Sequence, residues 1–200
     1  MNGKQKGFTL IEILVVVTII GVLAGLVVVL IPKTQEKKDI LSCTNNQRQF
    51  IGLLVQADQE AWRKSGPNLL LYWVKKGDIK GDQLSLLFCP GDTKENIQAA
   101  GGEDVYKNLD LKTQQFGHLT SYAGRDQNNA TCAAKQSGDT LIMTCDDSED
   151  HHNAKGFVCG YNDGSVKFID KVDKWEMDLA TVVAVGEGSS VKDLQCMKEE

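Results

Sequence analysis

The chain has 200 residues, of which 42% are hydrophobic and 24% charged, so it can form one ordinary globular domain plus a segment of another kind. Its formal net charge is −5, which argues against nucleic acid as a partner. Apolar residues concentrate before Pro32, and most of the charge follows it. The composition therefore indicates an apolar N-terminal segment followed by a single domain.

The N-terminal segment contains no charged residue between positions 13 and 31. As a helix it is about 30 Å long, enough to cross the hydrocarbon core of a bilayer. Lys4 and Lys6 precede it, and because positive residues stay cytoplasmic, the following domain is predicted to lie outside the cytoplasm. A cleaved secretory signal fits less well, because Glu12 falls inside its apolar core. A plain membrane anchor explains the length but not the Lys-Gly-Phe-Thr-Leu-Ile-Glu sequence before it.

The second half of the predicted helix is amphipathic. Apolar and small residues recur at helical spacing after Pro32, which predicts a helix that turns one face, including Cys43, to a core. Ser65-Gly66-Pro67 is predicted to end it. The helix is therefore expected to continue through residues 33–66.

The remaining residues, 67–200, form short strand-like segments between turn residues, which predicts a small antiparallel sheet. The predicted strands are 69–74, 84–89, 119–123, 139–145, 156–161 and 165–169. Asp163-Gly164 between the last two indicates a hairpin. Residues 93–115 read as a loop with a turn or two of helix, 175–185 as either helix or strand, and the rest as a tail tethered through Cys196. A long helix on a small sheet is an α+β fold.

Six cysteines are scattered along the chain without a CxxC pair, which disfavours a zinc ribbon or a thioredoxin-like site. Their even number suggests disulfides in a domain outside the cytosol. The candidates are Cys43, Cys89, Cys132, Cys145, Cys159 and Cys196. Many connectivities are open. The pairing that we favour is Cys43 with Cys89, Cys132 with Cys145, and Cys159 with Cys196.

An acidic segment after the 139–145 strand is a candidate metal site. Its ligands would be Asp146, Asp147, Asp150 and His152. Carboxylates alone suit calcium, and an added imidazole suits zinc or a similar ion. The alternative is a solvated acidic loop, since His151 and His152 would point to opposite faces of a strand. We predict no enzymatic activity; a metal-dependent hydrolase would need bound metal and one of these histidines.

Residues Lys6-Gly7-Phe8-Thr9-Leu10-Ile11-Glu12 resemble the processing site of type IV prepilins and type II secretion pseudopilins. The resemblance implies that prepilin peptidase cuts between Gly7 and Phe8 and methylates the new amine of Phe8. It also implies a pilin-like division of the chain. The parts are a leader (1–7), a transmembrane and assembly helix (8–32), its amphipathic continuation (33–66) and a globular domain (67–200).

Glu12 is the residue that we expect to direct assembly. A charged side chain at the centre of a bilayer costs ~2.5–3.5 kcal/mol and usually has a partner. The amine freed at Phe8 of a neighbouring subunit would be that partner. The resemblance thus implies a structural subunit of a type IV pilus-like or type II secretion pseudopilus filament, with its domain periplasmic or extracellular and no required cofactor. The implied partners are other subunits, prepilin peptidase, an inner-membrane assembly platform with its ATPase, and membrane lipid.

A weaker resemblance covers the C-terminal domain. Cys43 to Gln49, Cys89-Pro90 and Ser121-Tyr122-Ala123 resemble prepilin-type proteins that end in His, nine residues and Asp-Gly. Here ten residues separate His152 from Asp163, so the spacing differs by one. The alternative function is a membrane-anchored extracytoplasmic binding or sensing domain with the same leader, for which calcium is a candidate ligand.

Overall fold

The computed structural model describes residues 8–56, 59–92, 97–111, 117–129, 132, 137–145, 152, 155–178 and 180–198, with backbone alone at 27–33 and 59. The chain divides into two compact units, Met1–Lys37 and Lys38–Glu200. Helix α1 (Leu10–Val55) has residues in both units.

Helix α1 contains 46 residues and is not interrupted at Pro32. It ends at Val55, and a separate short helix α2 (Gln59–Trp62) follows. The prediction of one helix through residue 66 is therefore wrong at its C-terminal end. In the first unit, the side chains described from Phe8 to Leu26 are exposed.

Two predicted strands are helical. Residues 69–74 lie in helix α3 (Asn68–Lys76), and residues 84–87 lie in a 3-10 helix (Gly81–Leu87). A short apolar run fits a buried helix as well as a strand, so its pattern could not separate the two. Gly77 ends α3 in the left-handed conformation with φ 87°, where its N–H donates to the carbonyls of Trp73 and Val74. Helix α4 (Glu103–Lys107) confirms the expected helical turn within 93–115.

The described strands form one antiparallel sheet of order β4-β3-β2-β1-β5. They are β1 (Tyr122–Arg125), β2 (Leu141–Cys145), β3 (Gly156–Tyr161), β4 (Val166–Asp170) and β5 (Met197–Lys198). The predicted β3–β4 hairpin is confirmed, with Tyr161 N–H donating to Ser165 C=O across the turn at 2.9 Å. The predicted 119–123 strand begins three residues late, at Tyr122. The segment 175–185 was predicted as either helix or strand. Trp175 ends helix α5 (Lys171–Trp175), and the other described residues of the segment form no helix and no strand beyond a single bridge residue.

The second half of α1 packs on the sheet through one face. Its buried residues include Cys43, Gln47, Phe50, Ile51 and Leu54, which recur every three or four positions as helical geometry requires. The Gln47 amide donates to the Val158 carbonyl of β3 at 2.8 Å, and the Phe50 ring packs edge-on against Tyr122 of β1. The α+β class is confirmed, and this packing brings Cys43 next to the sheet.

Candidate functional site

The N-terminal processing segment lies partly outside the described residues. Gly7, on one side of the predicted cleavage, is not among them, whereas Phe8 is, and its side chain is 83% exposed. Helix α1 starts two residues later, at Leu10. Phe8, the described residue at the predicted cleavage, therefore precedes the first helical turn.

Thr9 and Glu12 cap the N-terminus of α1. The Thr9 N–H and hydroxyl both donate to Glu12 Oε2 at 2.7 Å, and the Glu12 N–H donates to the Thr9 hydroxyl at 3.3 Å. This is the reciprocal pattern of a capping box, which satisfies N–H groups that the first turn leaves without partners. This capping role of Thr9 was not predicted, although Thr-x-x-Glu before an apolar run is the sequence signature of a capping box.

The apolar face of the first unit is uncovered. Large hydrophobic side chains are more than two-fifths exposed throughout this part of α1, among them Leu10 at 85% and Val22 at 65%. Among the residues described, however, the structure contains no helix that is both long and apolar enough to cross a membrane. The predicted transmembrane helix over 8–32 is therefore not confirmed.

The disulfide of the domain joins Cys132 to Cys196, 64 residues apart in sequence. The expected tethering of the tail through Cys196 is confirmed. The partner differs from the predicted Cys159 because the chain next to Cys196 runs beside the end of β1, where Asp126 N–H donates to the Cys196 carbonyl at 2.8 Å. The Arg125 side chain holds Cys132 at the same place by donating to its carbonyl through Nε at 2.8 Å.

The other cysteines carry free, buried thiols, so all three predicted pairings are wrong. Cys159 lies on β3 against Thr144, with its Sγ 3.5 Å from the Thr144 hydroxyl. The other three converge with a histidine to form what we call the thiol–imidazole cluster. Its members are Cys43, Cys89, Cys145 and His152.

The cluster is compact and closed to solvent. Cys145 Sγ lies 3.6 Å from Cys43 Sγ and 3.9 Å from Cys89 Sγ. His152 Nε2 lies 3.4 Å from Cys89 Sγ and 3.7 Å from Cys145 Sγ. The four donor atoms all lie within 4.8 Å of one another, and no member is more than 2% exposed. Cys43 and Cys89 lie close together, but both are free thiols of this cluster and not the predicted disulfide.

Four separate segments supply the members. Cys43 lies on α1 and Cys145 at the end of β2, whereas Cys89 follows the 3-10 helix. Cys89 begins a turn with Pro90 and Gly91, closed by Asp92 N–H donating to the Cys89 carbonyl at 2.9 Å.

His152 reaches the cluster through an unusual backbone conformation, with φ 50°. Its ring packs edge-on against Phe168 of β4, 5.8 Å between centroids. The turn after Cys89 also approaches it: a Cβ at Gly91 would lie 2.8 Å from His152 Nδ1. Only glycine fits this approach without displacing the imidazole.

Polar groups from outside the cluster also act on its sulfurs. The Tyr122 hydroxyl lies 3.6 Å from Cys43 Sγ, and the backbone N–H groups of Gly91 and Val158 lower the pKa of the Cys89 and Cys145 thiols. Burial nevertheless raises the pKa of all three thiols well above the ordinary range, so without a compensating cation they are protonated.

Of the predicted acidic metal site, only His152 lies among the described residues. Asp146, Asp147 and Asp150 lie outside the described residues, and His152 faces the thiols. The cluster was not predicted, because its cysteines are 46 and 56 residues apart in sequence and form no short motif. The segments of the weaker resemblance, at Cys43, Cys89 and Ser121-Tyr122, were the available signal, since all of them lie at or beside the cluster.

Comparison with known proteins gives one match. Residues 2–28 match the model of the prokaryotic N-terminal methylation motif, so the chain carries a type IV prepilin-like leader. Such a leader fits a type IV pilin or pseudopilin precursor, and it implies processing by prepilin peptidase and assembly with other pilins. Neither a curated protein nor a solved structure matches the chain.

Proposed function

We propose that the chain is a structural subunit of a type IV pilus-like or type II secretion pseudopilus filament, with no catalytic role. Prepilin peptidase cuts it between Gly7 and Phe8, and it polymerises through the first part of α1. The leader match at residues 2–28 carries the proposal. The exposed apolar side chains from Phe8 to Leu26 support it, because a continuous apolar surface of this size is stable only against lipid or other subunits.

The disulfide between Cys132 and Cys196 supports the location of the domain. Disulfides persist in the periplasm and outside the cell and are rare in the cytosol. The proposed subunit is therefore anchored by its N-terminal segment and exposes the Lys38–Glu200 unit on the oxidising side of the inner membrane before it joins the filament.

Glu12 has two tasks in this proposal. In the single chain its carboxylate caps α1 by accepting hydrogen bonds from Thr9. In the filament it pairs with the cationic amine at Phe8 of an adjacent subunit, which offsets the cost of placing a charge in an apolar environment. Both hydrogen bonds from Thr9 go to Glu12 Oε2, so Glu12 Oε1 can accept from this amine.

Three variants separate the two tasks. Glu12→Ala removes both the capping carboxylate and its charge, and Glu12→Gln keeps a capping acceptor without the charge. Thr9→Ala removes the two cap bonds of the hydroxyl but keeps the charge of Glu12 and its bond from the backbone N–H of residue 9. We expect all three to be cut at Gly7–Phe8, as measured by mass spectrometry of the mature N-terminus. Both Glu12 variants should then be lost from the sheared filament fraction, whereas Thr9→Ala should be incorporated.

Other outcomes count against the proposal. If Glu12→Gln assembles normally and Thr9→Ala does not, capping rather than charge pairing is what matters. If all variants reach the filament fraction as the unaltered chain does, the charge of Glu12 does not direct assembly. If no filament contains the chain, the membrane-anchored binding domain is favoured. A mature chain that still begins with the leader contradicts processing altogether.

A further inference from the structure

We propose that the thiol–imidazole cluster binds one zinc ion in tetrahedral coordination. All four ligands belong to the Lys38–Glu200 unit, and the inference does not depend on filament assembly. The site would be structural, since three thiolates and one imidazole complete the tetrahedron and leave no position for a substrate.

The spacing of the donor atoms fits one zinc ion. Zinc–sulfur bonds of about 2.3 Å and a zinc–nitrogen bond of about 2.0 Å place tetrahedral neighbours about 3.8 Å apart for two sulfurs and about 3.5 Å for sulfur and nitrogen. Cys145 Sγ lies 3.6 and 3.9 Å from the other two sulfurs, and His152 Nε2 lies 3.4 and 3.7 Å from Cys89 and Cys145 Sγ. The two remaining pairs, from Cys43 Sγ to Cys89 Sγ and to His152 Nε2, lie within 4.8 Å, so these atoms would approach slightly around the ion. A multi-iron cluster would need its sulfurs farther apart.

The surroundings of the sulfurs fit thiolates. A metal-bound thiolate is an acceptor only, and the Tyr122 hydroxyl, 3.6 Å from Cys43 Sγ, is placed to donate to it. Outer hydrogen bonds of this kind orient ligands and tune the metal. Cys159, the other buried free thiol, is in a different environment, because its Sγ lies 3.5 Å from the Thr144 hydroxyl and it is not a member of the cluster.

The chemistry of the donor set selects zinc over calcium. Calcium takes six to eight oxygen ligands, whereas thiolate and imidazole are the ligands of zinc and similar borderline or soft ions. Binding deprotonates three thiols, and the cation compensates the charge that burial otherwise forbids. In an oxidising compartment, coordination would also protect Cys43 and Cys145 from forming a disulfide, which their separation of 3.6 Å invites.

A bound ion would fasten parts of the fold that are distant in sequence. It joins α1 at Cys43 to the end of β2 at Cys145, and it holds the turn at Cys89 and the segment at His152 against them. Because the unfolded chain offers no preformed site, the free energy of metal binding becomes free energy of folding. Bound zinc would therefore stabilise the packing of the second half of α1 on the sheet.

The test uses the full-length chain, purified in detergent under reducing conditions without chelator and then incubated with zinc chloride. We expect one zinc per chain by elemental analysis after gel filtration. Replacing zinc with cobalt should give the visible d–d bands of tetrahedral coordination and the near-ultraviolet charge-transfer bands of cobalt–thiolate bonds. Cys43→Ser and His152→Ala should each lose most of the metal, whereas the matched control Cys159→Ser, another buried thiol, should keep one zinc per chain.

The wild-type chain decides the case even where a variant fails to fold. Wild-type protein without zinc after reconstitution, or with an octahedral cobalt spectrum, overturns the proposal. So does a disulfide within Cys43, Cys89 and Cys145 in the unreduced native protein, found by peptide mapping. Equal zinc in Cys43→Ser and Cys159→Ser would place the ion elsewhere. A wild-type chain that enters filaments but binds no zinc after reconstitution would contradict this proposal alone, and one that binds zinc but enters no filament would contradict only the proposed function.

Discussion

Removing the disulfide between Cys132 and Cys196 should lower the free energy of unfolding of the domain by an amount set by the length of the loop that it closes. The change is the double variant Cys132→Ser/Cys196→Ser, which leaves no unpaired thiol at either position. The bond closes a loop of 64 residues, and loop-closure entropy for that length gives about 4 kcal/mol at 25 °C. For a chain of this size the same loss corresponds to a fall in melting temperature of roughly 8–16 °C.

Tryptophan fluorescence during thermal and urea unfolding measures this loss in the relevant part of the molecule. All three tryptophans, Trp62, Trp73 and Trp175, belong to the Lys38–Glu200 unit, so the signal reports on the domain and not on the N-terminal half of α1. Zinc should be kept at the same occupancy in both proteins, because bound metal also changes stability.

The reductant provides a matched control. A phosphine reductant should lower the melting temperature of the unaltered chain to that of the double variant and leave the double variant unchanged. The reasoning fails if the double variant loses less than about 1 kcal/mol, because the loop would then be restricted in the unfolded state without the bond. It also fails if the reductant shifts both proteins equally.

Three further predictions concern stability in the same unfolding assays. Gly52→Ala in α1 should stabilise by about 0.5–1 kcal/mol, since no described atom outside the local helix backbone lies within 4 Å of the new methyl group. Gly124→Ala in β1 should destabilise by about 1–3 kcal/mol, because its methyl group would overlap the carbonyl oxygen of Gly66. Arg125→Lys should cost about 1.5–3 kcal/mol, since a lysine cannot reproduce the guanidinium fork that donates to the Cys132 and Leu141 carbonyls.

Each of these predictions has an outcome that contradicts it. Equal effects of the two glycine variants would show that the close approach at Gly124 is relaxed at little cost. If Arg125→Lys unfolds at the same urea concentration as the unaltered chain, the buried guanidinium is not what holds Cys132. An Arg125→Lys variant in which the disulfide forms more slowly during oxidative refolding would support that positioning role.

The sequence patterns predicted those elements correctly that depend on neighbouring residues. Asp163-Gly164 between two alternating runs predicted the β3–β4 hairpin, because a tight turn and its strands are set by neighbouring residues. The run at 69–74 was predicted as a strand and is part of α3, since a short, fully buried apolar segment has no periodicity to distinguish the two. Whether such a segment coils or extends depends on what covers it.

The sequence by itself determined the N-terminal leader and the start of α1, since the methylation motif and the Thr9–Glu12 cap each involve residues within a few positions of one another. It also determined the α+β class. The tertiary structure alone decided which cysteines meet. Cys43, Cys89, Cys145 and His152 come together because α1 packs on the sheet beside the end of β2, and contacts between residues so far apart leave no mark in local spacing.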